Sequence, residues 1–219
     1  MILGGEIKIG GSGMLKITSE MFRKGGIPQE RLEEMQYTGI HQYWYLETDE
    51  YIDSVYAYVS DIVERLGEDF SVIEMGSNLG LILKVLGNTH PYIGLDGSVV
   101  ATARARTLWA NRLNAAFIQC RFEALETVSD ATLKVDVVFF AACLLYFLPE
   151  YIGPFIEEVL RKTQAKYFIV SSPRLKIADM PLCKCLEFKV HTLQAPGIPE
   201  KARIRYTYLY EVKRGGDGS

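Results

Sequence analysis

From residue 70 onward, short apolar runs alternate with helical segments, and near the C-terminus the alternation stops. Ser71-Val72-Ile73-Glu74-Met75 is an apolar run ended by Gly76. Residues 79–86 are helical in pattern and end at Gly87, and Pro91-Tyr92-Ile93-Gly94-Leu95 is a second run ending at Asp96. Ser98 is placed to cap a helix running to about Leu113, with Arg104, Arg106 and Arg112 on its solvated side. Further strands are expected at 116–119, 135–140 and 167–170, and Pro149 starts a helix with Ile152, Phe155, Ile156, Val159 and Leu160 inward. Short apolar strands separated by helices make a parallel sheet covered on both faces. The segments 186–193 and 204–213 also have strand character, but Gln194-Ala195-Pro196-Gly197-Ile198-Pro199 between them leaves no room for a helix. Two strands without a crossover helix must be antiparallel. The expected fold is α/β, with five parallel strands, a C-terminal antiparallel hairpin and helices on both faces.

Ahead of this block, Thr48 is a good N-cap, with Asp49 and Glu50 complementing the helix dipole. Ile52, Val55, Tyr56, Val59, Ile62, Val63 and Leu66 recur at helical spacing, and Gly67 ends the helix. Earlier still, 29–36 follows a Gly-Gly-Ile-Pro break as a short helix, and residues 6–9 alternate like an edge strand. The run Gly-Gly-Ser-Gly before Met14 resembles a linker, and the closing Arg-Gly-Gly-Asp-Gly-Ser is expected to be disordered. The division is an N-terminal extension at 1–47, a main domain at 48–213 and a tail at 214–219.

Composition excludes several classes. With 48% hydrophobic and 23% charged residues, a chain of 219 residues can build one full core without staples. A net charge of −3 gives no electrostatic footprint for a nucleic-acid backbone. No uncharged apolar run reaches the ~18 residues of a membrane span, and no long apolar run suggests a secretory signal. Cys120, Cys143, Cys183 and Cys185 lack zinc-ribbon spacing, and His41, His90 and His191 form no ligand pair at helical spacing. The expectation is a cytoplasmic protein with reduced thiols, no metal, no nucleic-acid or membrane partner, and a monomeric or homodimeric state.

In open α/β sheets a ligand binds at the carboxyl ends of the strands. There the first strand runs into Glu74-Met75-Gly76-Ser77-Asn78-Leu79-Gly80, and the second ends in Asp96, a carboxylate suited to a ribose diol. Gly76 and Gly80 permit close backbone approach, and Asn78 tolerates a left-handed turn. At this point the chain resembles the class I S-adenosylmethionine-dependent methyltransferases, over roughly 48–213. Their first motif, E/D-x-G-x-G-x-G, matches except that Asn78 replaces the middle glycine. Val135-Asp136-Val137-Val138 is similar to their fourth strand, and the terminal hairpin is also a trait of the family.

The resemblance implies a Rossmann-like methyltransferase fold and S-adenosyl-L-methionine as cofactor. It implies cofactor contacts from Glu74, Gly76, Ser77, Asn78, Gly80, Asp96, Gly97, Phe122, Glu123 and Ala141. Each has a plainer reading: Glu74 orients the loop, Asp96 caps a helix, and Phe122 and Glu123 begin a helix. The aromatic segment with Tyr43 and Trp44 is either a lid whose rings attract a cation or a packing layer. His41 is the general-base candidate by type, and Tyr146 a wall of the acceptor pocket or a catalytic group.

After the fourth strand comes Phe140-Ala141-Ala142-Cys143-Leu144-Leu145-Tyr146, with no Asn/Asp-Pro-Pro-Tyr motif, which disfavours base or glutamine-amide methylation. The reading is transfer of a methyl group to O or N of a small-molecule acceptor by direct in-line displacement. Two alternatives stand beside it: a non-catalytic partner subunit of the same fold, and an NAD-dependent oxidoreductase, whose G-x-G-x-x-G is absent here.

Overall fold

The computed structural model describes residues 48–141, 143–172, 183–194 and 203–213, with the backbone alone for Leu145 and Tyr146. The expectations for 6–9, 29–36, the aromatic segment and the tail lie outside them.

Among the described residues seven strands form one sheet: β1 (Val72–Met75), β2 (Tyr92–Asp96), β3 (Ala115–Gln119), β4 (Val137–Ala141), β5 (Tyr167–Ser172), β6 (Cys183–Thr192) and β7 (Ile204–Val212). Their order is β3-β2-β1-β4-β5-β7-β6. The first five are parallel, and β7 pairs antiparallel with both β5 and β6. The expected hairpin is present, but its later strand is the inner one.

Helix α1 covers 49–66. It starts as Asp49–Tyr51 with the Tyr51 N–H on Thr48 Oγ1 at 3.2 Å, passes through one π turn, Ile52–Tyr56, and continues as Ala57–Leu66. The capping threonine and apolar stripe are as expected; the wide turn is not. It inserts an extra residue into the turn and re-aims the side chains on either side. Next come α2 (Val99–Leu108), α3 (Asp130–Leu133) and α4 (Pro149–Thr163). Helix α2 stops short of the expected Leu113, which is fully exposed.

The expected helix at 79–86 is instead one 3₁₀ turn, Leu81–Lys84, following Gly80 in the left-handed region. The six residues between Gly80 and Gly87 are too few to nucleate a stable helix. Leu81, Ile82, Leu83 and Leu86 are nonetheless all buried. The carbonyls freed by the missing helix are taken by Arg112, which donates to Leu83, Leu86 and Gly87, while the Trp109 indole donates to Leu79 at 2.8 Å. Arg106 likewise donates to the Phe117 carbonyl at 2.8 and 3.1 Å. Arg106 and Arg112 are thus backbone ties rather than simply solvated charges.

The sheet separates two cores. Ile73, Met75, Phe140 and Phe168 meet Phe155 of α4 on one face. Val72, Phe139, Ile169 and Leu209 meet Val55, Val59 and Ile62 of α1 on the other.

Candidate active site

The site is built where β1 and β2 end. Gly76 (φ +74°), Asn78 (φ +49°) and Gly80 (φ +64°) all take left-handed backbone, so the chain turns sharply after β1. The Gly76 and Ser77 N–H groups donate to the Leu95 carbonyl at 2.8 and 3.1 Å, and Gly80 N–H donates to Ser77 at 2.8 Å. The loop is thereby folded back onto β2. Asp96 closes the arrangement: its Oδ2 accepts from Asn78 N–H and its Oδ1 from Ser98 N–H, each at 2.8 Å. The loop and the acid, 18 residues apart from Asn78 to Asp96, become one unit. A carboxylate oxygen can accept more than one hydrogen bond. Gly97 follows, its carbonyl accepting from Gln119 at 3.2 Å.

The loop glycines have a packing role beside any ligand role. A Cβ on Gly76 would sit 2.7 Å from the Cys143 Cβ, and one on Gly80 2.6 Å from the Phe117 ring. Cys143 belongs to the 3₁₀ turn Cys143–Tyr146 after β4, so the first loop presses against the end of the fourth strand. Its thiol is buried, and burial followed by the Asp96 and Glu74 charges pushes its pKa up, which leaves it inert as a nucleophile.

Glu74 is fully buried on the α1 side of β1. It accepts from the Tyr92 hydroxyl at 2.5 Å and from Tyr56, and Ser77 hydrogen-bonds the Tyr92 oxygen. The acid therefore reaches the loop through Tyr92 and Ser77. Neither tyrosine carries a sequence signal for this: Tyr56 sits in the apolar stripe, and Tyr92 in a strand. Burial raises the Glu74 pKa from 4.5 to about 8, the two hydroxyls lowering it and Asp96 raising it. The folded chain then holds a proton that the unfolded chain releases between those values. This contribution to stability is complete below pH 4.5 and is lost as pH rises through about 8. Urea midpoints of the parent chain should fall between about pH 5 and 8, and Glu74→Gln should flatten that fall. An equal slope in both proteins would overturn the assignment.

The remaining expected contacts are more scattered. Phe122 begins a 3₁₀ turn, Phe122–Thr127, and packs on Phe147 and Phe155 with ring centroids at 5.7 and 5.1 Å. Glu123 is half-buried beside it, and Ala141 is buried at the end of β4. The Tyr146 backbone ends the turn after β4, but its side chain lies outside the described residues, as do His41, Tyr43 and Trp44. No group of metal-ligating side chains occurs among the described residues, and no helix there is long and apolar enough to cross a membrane.

No protein-family model and no curated protein matches this chain. Solved structures do. The N-methyltransferase NodS of Bradyrhizobium japonicum WM9, in complex with S-adenosyl-L-homocysteine, is 12% identical with a TM-score of 0.68, covering 84% of this chain and 98% of that one. The magnesium protoporphyrin IX methyltransferase ChlM of Synechocystis PCC 6803, with bound SAM, gives 12% and 0.61 over 88% and 100%. The methyltransferase domain of bacterial CtHen1-C gives 14% and 0.57 over 73% and 97%. At such identities the likeness is one of fold.

Proposed function

We propose that this chain, which has the fold of the class I S-adenosylmethionine-dependent methyltransferases, is itself an S-adenosylmethionine-dependent methyltransferase acting on O or N of a small-molecule acceptor. One observation carries the reading: Asp96, at the end of β2, is held by the N–H of Asn78 in the glycine turn. The turn and the acid thus present one surface, with two carboxylate oxygens aimed by backbone donors and able to accept a ribose diol. That both similar structures crystallised with a ligand hold SAM or its demethylated product supports the same ligand here.

Asp96 would hold the ribose, the 76–80 turn and Gly97 would line the ligand, and Glu74 would stiffen the turn through Tyr92 and Ser77. Phe122 and Glu123 are proposed for the adenine side and Ala141 for the reacting end. When bound, S-adenosylmethionine supplies a methyl group already activated on a sulfonium, and transfer to an acceptor X–H yields S-adenosylhomocysteine, X–CH₃ and a proton. The chain's task is then to orient the acceptor atom at about 3–3.5 Å, in line, and to exclude water. Tyr43, Trp44 and Tyr146 are proposed to line the acceptor, with His41 receiving the proton and the Tyr146 hydroxyl holding the acceptor atom.

Calorimetry provides the first test. S-adenosylhomocysteine should give saturable heat and NAD none. Saturable binding of NAD with no response to S-adenosylhomocysteine would overturn the reading.

A further inference from the structure

A row of buried polar side chains lies beside the site just described. In register across the sheet, Ala141 of β4 is opposite Ser171 of β5, and Ser171 is opposite Thr207 of β7. Two residues further on β7 comes Arg205, paired with His191 of β6. Partners in register and residues two apart share a face, and here it is the α1 face, to which Leu209 also points. Tyr51 of α1 reaches the same place, its ring 5.4 Å from the Arg205 guanidinium carbon.

All of these side chains are buried: Tyr51, Ser171 and Arg205 at 0%, Thr207 at 1% and His191 at 5% exposure. The Tyr51 hydroxyl, Ser171 Oγ, Thr207 Oγ1 and His191 Nε2 have no hydrogen-bond partner among the described residues. A single buried polar atom without a partner costs about 1–3 kcal/mol, so four in one row are not what packing alone selects. Elsewhere on this face Ser60 donates to the Val85 carbonyl and Glu187 accepts from Tyr58 and Arg65, while Glu74, two strands away from β5, has one carboxylate oxygen without a partner among the described residues. The four named here gather at the carboxyl end of β5, one strand over from the end of β4.

The chemistry of the row favours one kind of occupant. Three hydroxyls can each donate, and a guanidinium has donors only. Burial and then Lys189 push His191 down to about 4, so the imidazole is neutral at physiological pH. Such a set matches a group rich in acceptor oxygens, and charge-assisted bonds from Arg are strongest to a carboxylate or phosphate.

We propose that Tyr51, Ser171, Thr207 and Arg205 form an anchor for an anionic oxygen group, a carboxylate or a phosphate, carried by the methyl acceptor. The proposal rests on the methyltransferase reading for the word acceptor; the anion site itself stands on the row. An anchor here fixes one end of the acceptor a strand away from Ala141, leaving the other end to reach the mouth of the glycine turn. It makes the substrate class a small organic acid or phosphate ester, in place of an amine with no second charge.

The test is an NMR titration of the isotopically labelled chain, saturated with S-adenosylhomocysteine, using benzoate in one arm and inorganic phosphate in the other. Saturable shifts at the amides of Ser171, Arg205 and Thr207 are expected in at least one arm, and the responding arm identifies the anion. Ser171→Ala and Thr207→Val preserve volume and should each weaken that binding about tenfold, the size of one lost hydrogen bond to a charge. Both should leave S-adenosylhomocysteine affinity near the parent value, and without anion their melting temperatures should equal or exceed that of the parent, because each removes an unpartnered buried hydroxyl. Arg205→Gln should abolish anion binding, with the two smaller variants giving the result if it fails to fold. No response to either anion, or parent-level anion affinity in both variants, would overturn the anchor and leave the methyltransferase reading intact. Saturable anion binding by a chain that fails to bind S-adenosylhomocysteine would support the anchor and sink the methyltransferase reading.

Discussion

Gly76→Ala is expected to destabilise the whole chain rather than only empty a ligand site. The residue sits at φ +74°, where a Cβ costs about 1–2 kcal/mol. That Cβ would also meet the Cys143 Cβ at 2.7 Å, and such overpacking typically costs about 1–3 kcal/mol. Together these give a loss of about 2–5 kcal/mol in urea unfolding, a large share of the stability of one domain. The cause can be isolated with a double-mutant cycle. Because the clash is with a Cβ, Cys143→Gly relieves it and Cys143→Ser does not. The pair Gly76→Ala with Cys143→Gly should be more stable than the sum of the single effects predicts, by about 1 kcal/mol or more. Additive losses would mean that the two segments do not touch. The reading of this glycine as a site of ligand approach is therefore incomplete: loss of binding in a bulky variant also reports a displaced β4 turn.

Asp96→Ala is the cleaner test of the ligand. The carboxylate accepts two backbone N–H groups and is proposed to accept a ribose diol, so its removal acts on loop and ligand together. Lost hydrogen bonds to a charged group are worth about 1.5–3 kcal/mol, which is a fall of about 10- to 150-fold in S-adenosylhomocysteine affinity. Asp96→Asn should behave almost as badly. Asn78 and Ser98 need two acceptor oxygens, and an amide offers one, with its NH₂ facing a donor. Calorimetry giving the parent affinity for the alanine variant would remove Asp96 from the ligand and leave it as a loop clamp.

The alternation of apolar runs with helices gave away the parallel part of the sheet because buried parallel strands have little polar content to confuse with surface. The position of β7 was not legible. Periodicity says that 204–212 is a strand but not that it lies between β5 and β6, which depends on non-local pairing. The 79–86 segment failed as a helix because its pattern shows that the leucines are buried and says nothing about whether backbone bonds can form. Arg112 and Trp109, some 25–30 residues on, supply them. At the site, Glu74 and Asp96 were visible as acids at strand ends. Tyr56 and Tyr92, which hold Glu74, were not, because a hydroxyl inside an apolar stripe looks like core until the π turn of α1 aims it. The row of Ser171, Thr207 and Arg205 was hidden for a similar reason: its members belong to strands distant in sequence and meet only through register.

The inner position of β7 also sets an order of assembly. The ribosome releases β6 before β7, yet among the described strands β6 hydrogen-bonds only to β7. During synthesis it therefore has no seat, while Leu186, Phe188 and Val190, still 43–49% exposed in the finished fold, stand on an unpaired strand. Such an edge is open to pairing with a neighbouring nascent chain. The first five strands have their partners early; the outer third of the sheet, with half of the polar row, can close only after the chain has been made as far as Val212. A ribosome that pauses between the two strands holds this protein at its most aggregation-prone length.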